Sequence, residues 1–140
     1  MRLSKNFTLE EMCYSSTANA RDLQNYPDLK AQENLKKLCN EILQPIRNKF
    51  GKPIYINSAY RNPQLNRLVG GSQSSQHITG CAADIDCSEN KKLWDMIVKM
   101  INVGEITVGQ LIWEKGDSNA PDWIHISLPY TKVNQIIKLK

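Results

Sequence analysis

The sequence contains no long hydrophobic run. No stretch approaches the roughly 20 consecutive apolar residues that a helix needs to cross a bilayer, so no membrane span is predicted. The first eight residues, Met1–Thr8, also lack the apolar core of a secretory signal. We therefore expect synthesis in the cytoplasm, and any action outside the cell would require another route.

Clusters of like charge are absent as well. The chain has 18 Lys and Arg against 14 Asp and Glu, which gives a formal net charge of +4. The basic residues are scattered and form neither a block nor a stripe interleaved with aromatic residues, so we do not expect nucleic acid as a partner. The mild positive charge is compatible with an anionic polymer as partner but does not require one.

No CxxC pair is present. The four cysteines are Cys13, Cys39, Cys81 and Cys87. Without a secretory signal, free thiols are expected rather than disulfides. The length of 140 residues, with 41% hydrophobic and 23% charged residues, is typical of one soluble domain spanning residues 1–140. We expect this domain to be a monomer.

Hydrophobic periodicity predicts several helices and strands. Thr8 followed by Glu11 fits a capping box, and Gly51 fits the end of the longest helix, which Pro45 should kink or break near its end. Helices are predicted near residues 8–14, 28–50, 64–69 and 90–103, with loops at 15–27, 72–79 and 116–121. Strands are predicted at residues 53–61, 82–87, 110–114 and 123–128, and a strand is favoured over a short helix at 133–139. Helices followed by strands favour an α+β fold in which helices cover an antiparallel sheet.

Histidine is scarce, and the two histidines lie in informative surroundings. His77 follows a serine-rich segment and precedes Asp84 by seven positions, while His125 lies in a strand-like run near the C-terminus. Two imidazoles and one carboxylate are a ligand set of catalytic Zn²⁺ sites. Each residue also has an ordinary interpretation. His77 would then be an exposed loop histidine, Asp84 a carboxylate in a salt bridge, and His125 a hydrogen-bonded histidine of the sheet. Asp86 is a second candidate ligand on the same predicted strand face.

Three segments carry a resemblance to a known family: Ser58-Ala59-Tyr60-Arg61, Ser75-x-His77-x-x-Gly80-x-Ala82-x-Asp84, and Asp122-x-x-His125. They resemble the M15 family of zinc peptidases. That family includes D-alanyl-D-alanine carboxypeptidases and dipeptidases, and the L-alanyl-D-glutamate endopeptidases of phage endolysins. The resemblance spans roughly residues 30–128 and implies a Hedgehog/DD-peptidase-like fold and peptidoglycan stem peptides as substrate.

The resemblance also implies roles for individual residues. It assigns His77, Asp84 and His125 as ligands of Zn²⁺, Asp122 as the general base, Arg61 as the residue that contacts the substrate and stabilises the oxyanion, and Ser75 as a substrate contact. Many relatives carry Glu where this chain has Asp122, a difference that favours an endopeptidase over a dipeptidase. Glu114 is interpreted as a substrate-binding carboxylate at the edge of the site, with a strand-end surface residue as the alternative.

The alternation of side chains along a strand limits where Asp122, the expected general base, can point. In a regular strand Asp122 and His125 would face opposite sides, so a turn or bulge near Trp123 is required for both to act at one site. Two other hypotheses remain: a non-catalytic binding module stabilised by metal on the same fold, and a structural domain without metal. A carboxylate at position 122 argues against the binding module.

Overall fold

The computed structural model describes residues 1–139 and shows a five-stranded sheet covered on one side by helices. The helices are α1 (Leu9–Cys13), α2 (Ser16–Ala20), α3 (Leu29–Leu38), α4 (Gln44–Phe50), α5 (Pro63–Leu68) and α6 (Asn90–Asn102). The strands are β1 (Arg2–Ser4), β2 (Phe7–Thr8), β3 (Tyr55–Ser58), β4 (Ala82–Asp86), β5 (Gln110–Glu114), β6 (Trp123–Ser127) and β7 (Gln135–Leu139). The predicted α+β fold is confirmed. No helix within residues 1–139 is both long and apolar enough to cross a membrane.

The large sheet is antiparallel in four of its strands and mixed as a whole. Its strand order is β3-β4-β6-β5-β7. The neighbouring pairs β3–β4, β4–β6 and β6–β5 are antiparallel, and β5 and β6 form a hairpin around the predicted loop at 116–121. The outer strand β7 departs from the antiparallel expectation, because it runs parallel to β5. The segment between β6 and β7 passes the end of β5, so that β7 pairs with the far side of β5. The periodicity of a strand does not predict the direction in which it runs.

One face of the sheet supplies the hydrophobic core. Residues that alternate along the central strands, such as Ile85, Trp113 and Ile124, are fully buried. They belong to one cluster with apolar residues of α3 and α6, including Leu35 and Ile97. Because successive side chains of a strand point to opposite faces, the other face of the same strands is left to polar residues.

The longest predicted helix is interrupted. A π-helical segment, Cys39–Leu43, lies between α3 and α4, and Pro45 stands in the first turn of α4. Proline lacks the N–H that would bind the carbonyl four residues earlier, and a local widening of the helix accommodates that loss. Gly51, with a φ of +73°, ends α4 as predicted.

The N-terminal region contains more structure than its sequence predicted. Thr8 caps α1 by accepting a hydrogen bond from the Glu11 amide at 3.1 Å, as expected. Residues before it form the small antiparallel pair β1–β2. The segment predicted as a loop contains α2, which begins at a cap where the Ser15 hydroxyl accepts from the Ala18 amide at 3.1 Å. A helix this short buries too few residues to show a periodic pattern.

The outer strand β7 has one close contact with the core. Lys138 lies opposite Trp113 in the β5–β7 register. Its ammonium group is 4.6 Å from the centre of the Trp113 ring, which is a cation–π distance. Lys138 therefore covers the outer side of a fully buried tryptophan at the sheet edge.

Candidate metal centre

The centre of the polar sheet face carries two of the three predicted ligands. Asp84 on β4 and His125 on β6 are direct partners in the antiparallel register. The carboxylate oxygen Oδ1 of Asp84 lies 3.0 Å from Nδ1 of His125. The two side chains are mostly buried, with exposed fractions of 15% and 12%. The strand pairing thus places an acid and an imidazole side by side.

His77 reaches the same point from a short 3₁₀ turn, Gln76–Thr79. The segment was predicted as an open polar loop, yet His77 is buried. The hydroxyl of Ser75 caps the turn by accepting from the His77 amide at 3.2 Å, and Gly80 ends it with a φ of +76°. The ring nitrogen Nε2 of His77 lies 3.3 Å from Oδ2 of Asp84.

The three side chains fit a divalent metal ion. One potential ligand atom from each of His77, Asp84 and His125 lies within 4.8 Å of the others. The two imidazole rings meet edge to face with centroids 5.3 Å apart. Two ring nitrogens and one carboxylate oxygen around a single point are a common donor set for a catalytic Zn²⁺ ion, with a fourth position open to the cleft.

Each imidazole has a second contact that orients it. Nδ1 of His77 is 2.6 Å from the carbonyl oxygen of Ala59, and Nε2 of His125 is 3.3 Å from Oε1 of Gln76. These contacts leave Nε2 of His77 and Nδ1 of His125 facing Asp84. Acceptors that hold the outer nitrogen of a metal-binding histidine fix the orientation of its ring. Sequence reasoning did not find Gln76, whose only signal was its position beside His77.

The electrostatics of Asp84 favour its charged form. Burial raises the pKa of this carboxyl, but hydrogen bonds from His125 and His77, with the charges of the same rings, more than offset it and the net pKa is lowered. A carboxylate kept ionised in a mostly buried position is well suited to a cation. The predicted competitor, Asp86, instead accepts a hydrogen bond from Nδ2 of Asn90 at 2.6 Å.

Arg61 and Ser75 lie together at the side of the centre. Nη2 of Arg61 donates to the Ser75 hydroxyl at 3.3 Å, and the Arg61 amide donates to the carbonyl of His77 at 3.1 Å. Nε of Arg61 is buried without a hydrogen-bond partner among residues 1–139. Burial lowers the pKa of the guanidinium, opposed by the nearby charge of Asp84. The arginine thus keeps donor capacity for a bound group.

The loop that carries Arg61 is held by a residue that the sequence analysis did not single out. Nδ2 of Asn25 donates to the carbonyl oxygens of Cys13 and Tyr60, both at 2.9 Å. Its Oδ1 accepts from the amide of Asn62 at 2.8 Å. Asn25 therefore binds the residues on both sides of Arg61 and joins them to the N-terminal region.

The centre opens into a cleft of about 590 Å³. Its walls are formed by the polar face of β5 and β6, the loop before the 3₁₀ turn, and the segment after β6; among the lining residues are Arg61, Ser75, Gln110, Glu114, Trp123 and Lys132. Such a volume is in the range of small-molecule and peptide sites. Glu114 lies at this wall, and its role as a substrate contact stays a prediction.

Asp122 is not among the residues that line this cleft. Its side chain is exposed, and it precedes β6, where Trp123 and His125 face the cleft. The pairing of β5 with β6 continues from Ile126 to Trp123 without a bulge. At its end the hairpin becomes irregular, because the Asp122 amide donates to the carbonyl of Glu114 at 3.0 Å although Glu114 pairs with Trp123. Asp122 and Trp123 thus both face Glu114, which is the pattern of the bulge predicted near Trp123. The role of Asp122 as general base stays a prediction.

The four cysteines have no role at this centre. All are free, with Cys39 and Cys81 buried and Cys13 and Cys87 partly buried. The prediction of free thiols is thus confirmed. Among residues 1–139, the group capable of holding a metal contains no cysteine.

Comparison with known families agrees with the site. The family model described as Peptidase M15 matches residues 5–127, which includes the three candidate ligands, Arg61, Ser75 and Glu114. No curated protein matches the chain. The matched range covers most of the chain, and the α+β fold and the His-Asp-His centre are compatible with it. The chain therefore belongs to the peptidase M15 family.

Proposed function

We propose that this chain is a zinc-dependent peptidase that hydrolyses stem peptides of bacterial peptidoglycan, as an endolysin-like endopeptidase or a D,D-carboxypeptidase. The observation that carries the proposal is the meeting of His77, Asp84 and His125 within 4.8 Å at the floor of an open cleft. The peptidase family of the chain supports the reaction type. The site of action would be the cell wall.

The metal would be held by Nε2 of His77, a carboxylate oxygen of Asp84 and Nδ1 of His125. When bound, Zn²⁺ would activate a water molecule and polarise the scissile carbonyl group. The protein contributes the orientation of both rings through Ala59 and Gln76. It also excludes bulk water from the buried side of the centre, where His77 is only 3% exposed.

Arg61 would bind the substrate beside the metal. Its guanidinium retains an unpartnered donor within the described residues and lies next to Ser75 on the cleft wall. An arginine in this position can stabilise the negative charge that develops on a carbonyl oxygen during hydrolysis, and removal of such a donor typically lowers the rate by about 10²–10³. It can also bind a carboxylate of the stem peptide.

A proton acceptor is needed in addition to the metal. The acceptor must take a proton from the attacking water and later deliver it to the leaving amine. The family resemblance assigns this role to Asp122. Glu114 is the carboxylate that lines the cleft without belonging to the ligand set, so both residues are candidates for the role.

The test is digestion of defined muropeptides by the purified zinc-loaded protein, with product masses read by mass spectrometry. Cleavage within or at the end of the stem peptide is expected, and the product masses would distinguish an endopeptidase from a carboxypeptidase. A His125→Ala variant should lose both zinc and activity. If the zinc-loaded protein bound these peptides without cleaving any of them, the proposal would fail in favour of a binding module.

A further inference from the structure

The cleft beside the metal centre extends along strand β5. Gln110, Ile112 and Glu114 line it from alternate positions of that strand. Ile112 pairs with His125, so the metal centre lies beside the middle of the strand. Because successive residues of a strand are about 3.3 Å apart, Gln110 and Glu114 are separated by about 13 Å. The cleft can therefore hold an extended peptide that continues on both sides of the metal.

The two ends of this cleft carry opposite charges. Apart from the candidate ligands and Arg61, the charged residues among the described ones that line the cleft are Glu114 and Lys132. Glu114 is the last residue of β5. Lys132 lies towards the other end, because the segment that carries it joins the start of β5, where the Asn134 amide donates to the carbonyl of Val108 at 2.6 Å. The metal centre thus lies between a negative end and a positive end.

Neither of these charges is compensated within the protein. No ion pair formed within residues 1–139 includes Glu114 or Lys132. The ammonium group of Lys115, the residue after Glu114, lies over the Trp123 ring at 5.8 Å from its centre. Glu114 is partly buried, and a carboxylate withdrawn from water without a partner is unfavourable. A cation supplied by a ligand would remove that cost.

We propose that Glu114 and Lys132 select the substrate by its charges. Glu114 binds an ammonium group of the peptide on one side of the scissile bond, and Lys132 binds a carboxylate on the other side. The inference rests on the proposed peptidase function and names its substrate class, which is a peptide with an amine and a carboxylate on opposite sides of the cleaved bond. A Glu114 carboxylate held in this ion pair does not take the proton of the attacking water, which leaves that role to Asp122.

The experiment measures kcat/KM of the full-length, zinc-loaded protein on three forms of one muropeptide. The first form has a free side-chain amine and a free carboxylate on opposite sides of the scissile bond, the second is acetylated at the amine, and the third is amidated at the carboxylate. For the wild type, acetylation should lower kcat/KM by about 10- to 100-fold, the loss expected for a charged hydrogen bond at a partly buried group. Amidation should lower it by about two- to fivefold, because Lys132 is exposed.

Variants connect each preference to its residue. Glu114→Gln should cleave the acetylated form as the wild type does and lose the preference for the free amine. Lys132→Gln should lose only the preference for the carboxylate, and Lys132→Glu should prefer the amidated form. Glu41→Gln and Lys36→Gln are the matched controls, because both residues are exposed and neither lines the cleft. Both controls should keep the two preferences of the wild type.

Three results would overturn this inference while the peptidase function stands. They are an active wild type that cleaves the three forms equally well, a Glu114→Gln variant that loses the same factor on the free and the acetylated form, and loss of zinc from Glu114→Gln in elemental analysis. If the wild type cleaved none of the peptides, the proposed function would fail. Calorimetric binding of the same three forms would then test the charges alone, and equal affinities would overturn the inference as well.

Discussion

Asp84 and His125 are direct partners on neighbouring antiparallel strands, with Oδ1 and Nδ1 3.0 Å apart. The two ligands of the candidate centre that come from the sheet are thus positioned by backbone hydrogen bonds in the middle of the sheet. A shift of β6 by one residue would turn His125 to the core face and bring an isoleucine into the cleft. The geometry of the centre therefore depends on the strand register as much as on the identity of the ligands.

Zinc should stabilise the folded protein. A ligand that binds only the folded state, when present at about 100 times its dissociation constant, raises the free energy of unfolding by about 2.7 kcal/mol. Thermal unfolding of the metal-free protein should therefore shift upwards by several degrees when zinc is added. The His125→Ala variant should show no such shift. An unchanged melting temperature in the wild type, with no zinc found by elemental analysis, would argue against a metal centre.

Gln76 should matter for metal affinity although it is not a ligand. Its Oε1 lies 3.3 Å from Nε2 of His125. Loss of such an orienting contact typically weakens metal binding by about 10- to 100-fold, so we expect a loss of that size in Gln76→Leu. Gln76→Glu keeps an oxygen acceptor and should retain most of the affinity. Competition with a chromogenic chelator measures both variants, and equal affinity of Gln76→Leu and the wild type would show that the contact has no orienting role.

Asn25 should be needed for stability and for substrate binding. Asn25→Ala would leave the carbonyl of Tyr60 and the amide of Asn62 without the bonds that they make here. Leaving buried polar groups unpaired costs about 1–3 kcal/mol, which urea denaturation would measure. Because Arg61 stands between these residues and is proposed both to bind the substrate and to stabilise the oxyanion, kcat/KM should fall as well. Asn19→Ala, at an exposed position of α2, is the control, and equal stability of the two variants would contradict the prediction.

Gly80 should tolerate no side chain. Its φ is +76°, and a Cβ there would lie 2.6 Å from the carbonyl oxygen of Ala31 in α3. Gly104 has a similar φ of +79°, and a Cβ on it would meet no atom within 4 Å. Gly104→Ala should therefore lower the free energy of unfolding only by the cost of the left-handed backbone conformation, about 1–2 kcal/mol. Gly80→Ala should lower the free energy of unfolding by roughly 2–5 kcal/mol, because overpacking against α3 adds to the backbone strain.

The comparison of these two glycine variants isolates the packing contribution, since the backbone conformation is nearly the same. Chemical denaturation gives both values. Gly80→Ala should in addition weaken zinc binding, because Gly80 ends the turn that carries His77. If both variants lost the same free energy of unfolding, α3 would be able to move away from the turn at little cost in stability.

The thiols should react slowly in the folded protein. Burial, helped by the charge of Glu11, raises the pKa of Cys39 from 9.0 to about 12, and burial with the charge of Glu10 raises the pKa of Cys13 to about 11. Only the thiolate reacts with alkylating reagents, so at pH 8 the reactive fraction of Cys39 falls about a thousandfold relative to an unperturbed thiol. The rate in the native protein should keep rising with pH up to the raised pKa.

The same reagent on denatured protein supplies the control. There the rate of alkylation should level off near the ordinary thiol pKa, since the thiols are then solvated. Mass spectrometry after limited labelling would identify the modified residues. Rapid labelling of Cys39 in the native state at pH 8 would show that the helix around the π-helical segment opens readily.

Sequence reasoning predicted the regular parts of the fold well because those parts repeat. The stripe of apolar residues along α3 and α6, and the alternation along β4, β5 and β6, arise from burial on one face, which periodicity reveals. The candidate ligands were found because histidine is rare in this chain and His77 and Asp84 have a recognisable spacing. The structure brings His77, Asp84 and His125 to one point.

Other features depend on contacts between distant segments, which a linear pattern does not contain. The sequence around Asn25 does not distinguish it from other loop asparagines, and only the folded structure shows its contact with the loop around Arg61. The direction of β7 depends on the connection after β6, which passes the end of β5. The irregular end of the β5–β6 hairpin, where Asp122 and Trp123 both face Glu114, depends on the pairing of the two strands. In each case tertiary geometry decides between alternatives that the local sequence leaves equal.

The parallel strand β7 has a consequence for self-association. It covers the outer side of β5 and is itself the edge of the sheet within the described residues, with Ile136 and Leu139 exposed. An uncovered strand with apolar side chains can recruit a strand from another molecule, and a lysine on such a strand opposes this. Lys138 fills that position while it covers Trp113. Replacing Lys138 with an uncharged residue would therefore favour aggregation through pairing of β7 with strands of other molecules.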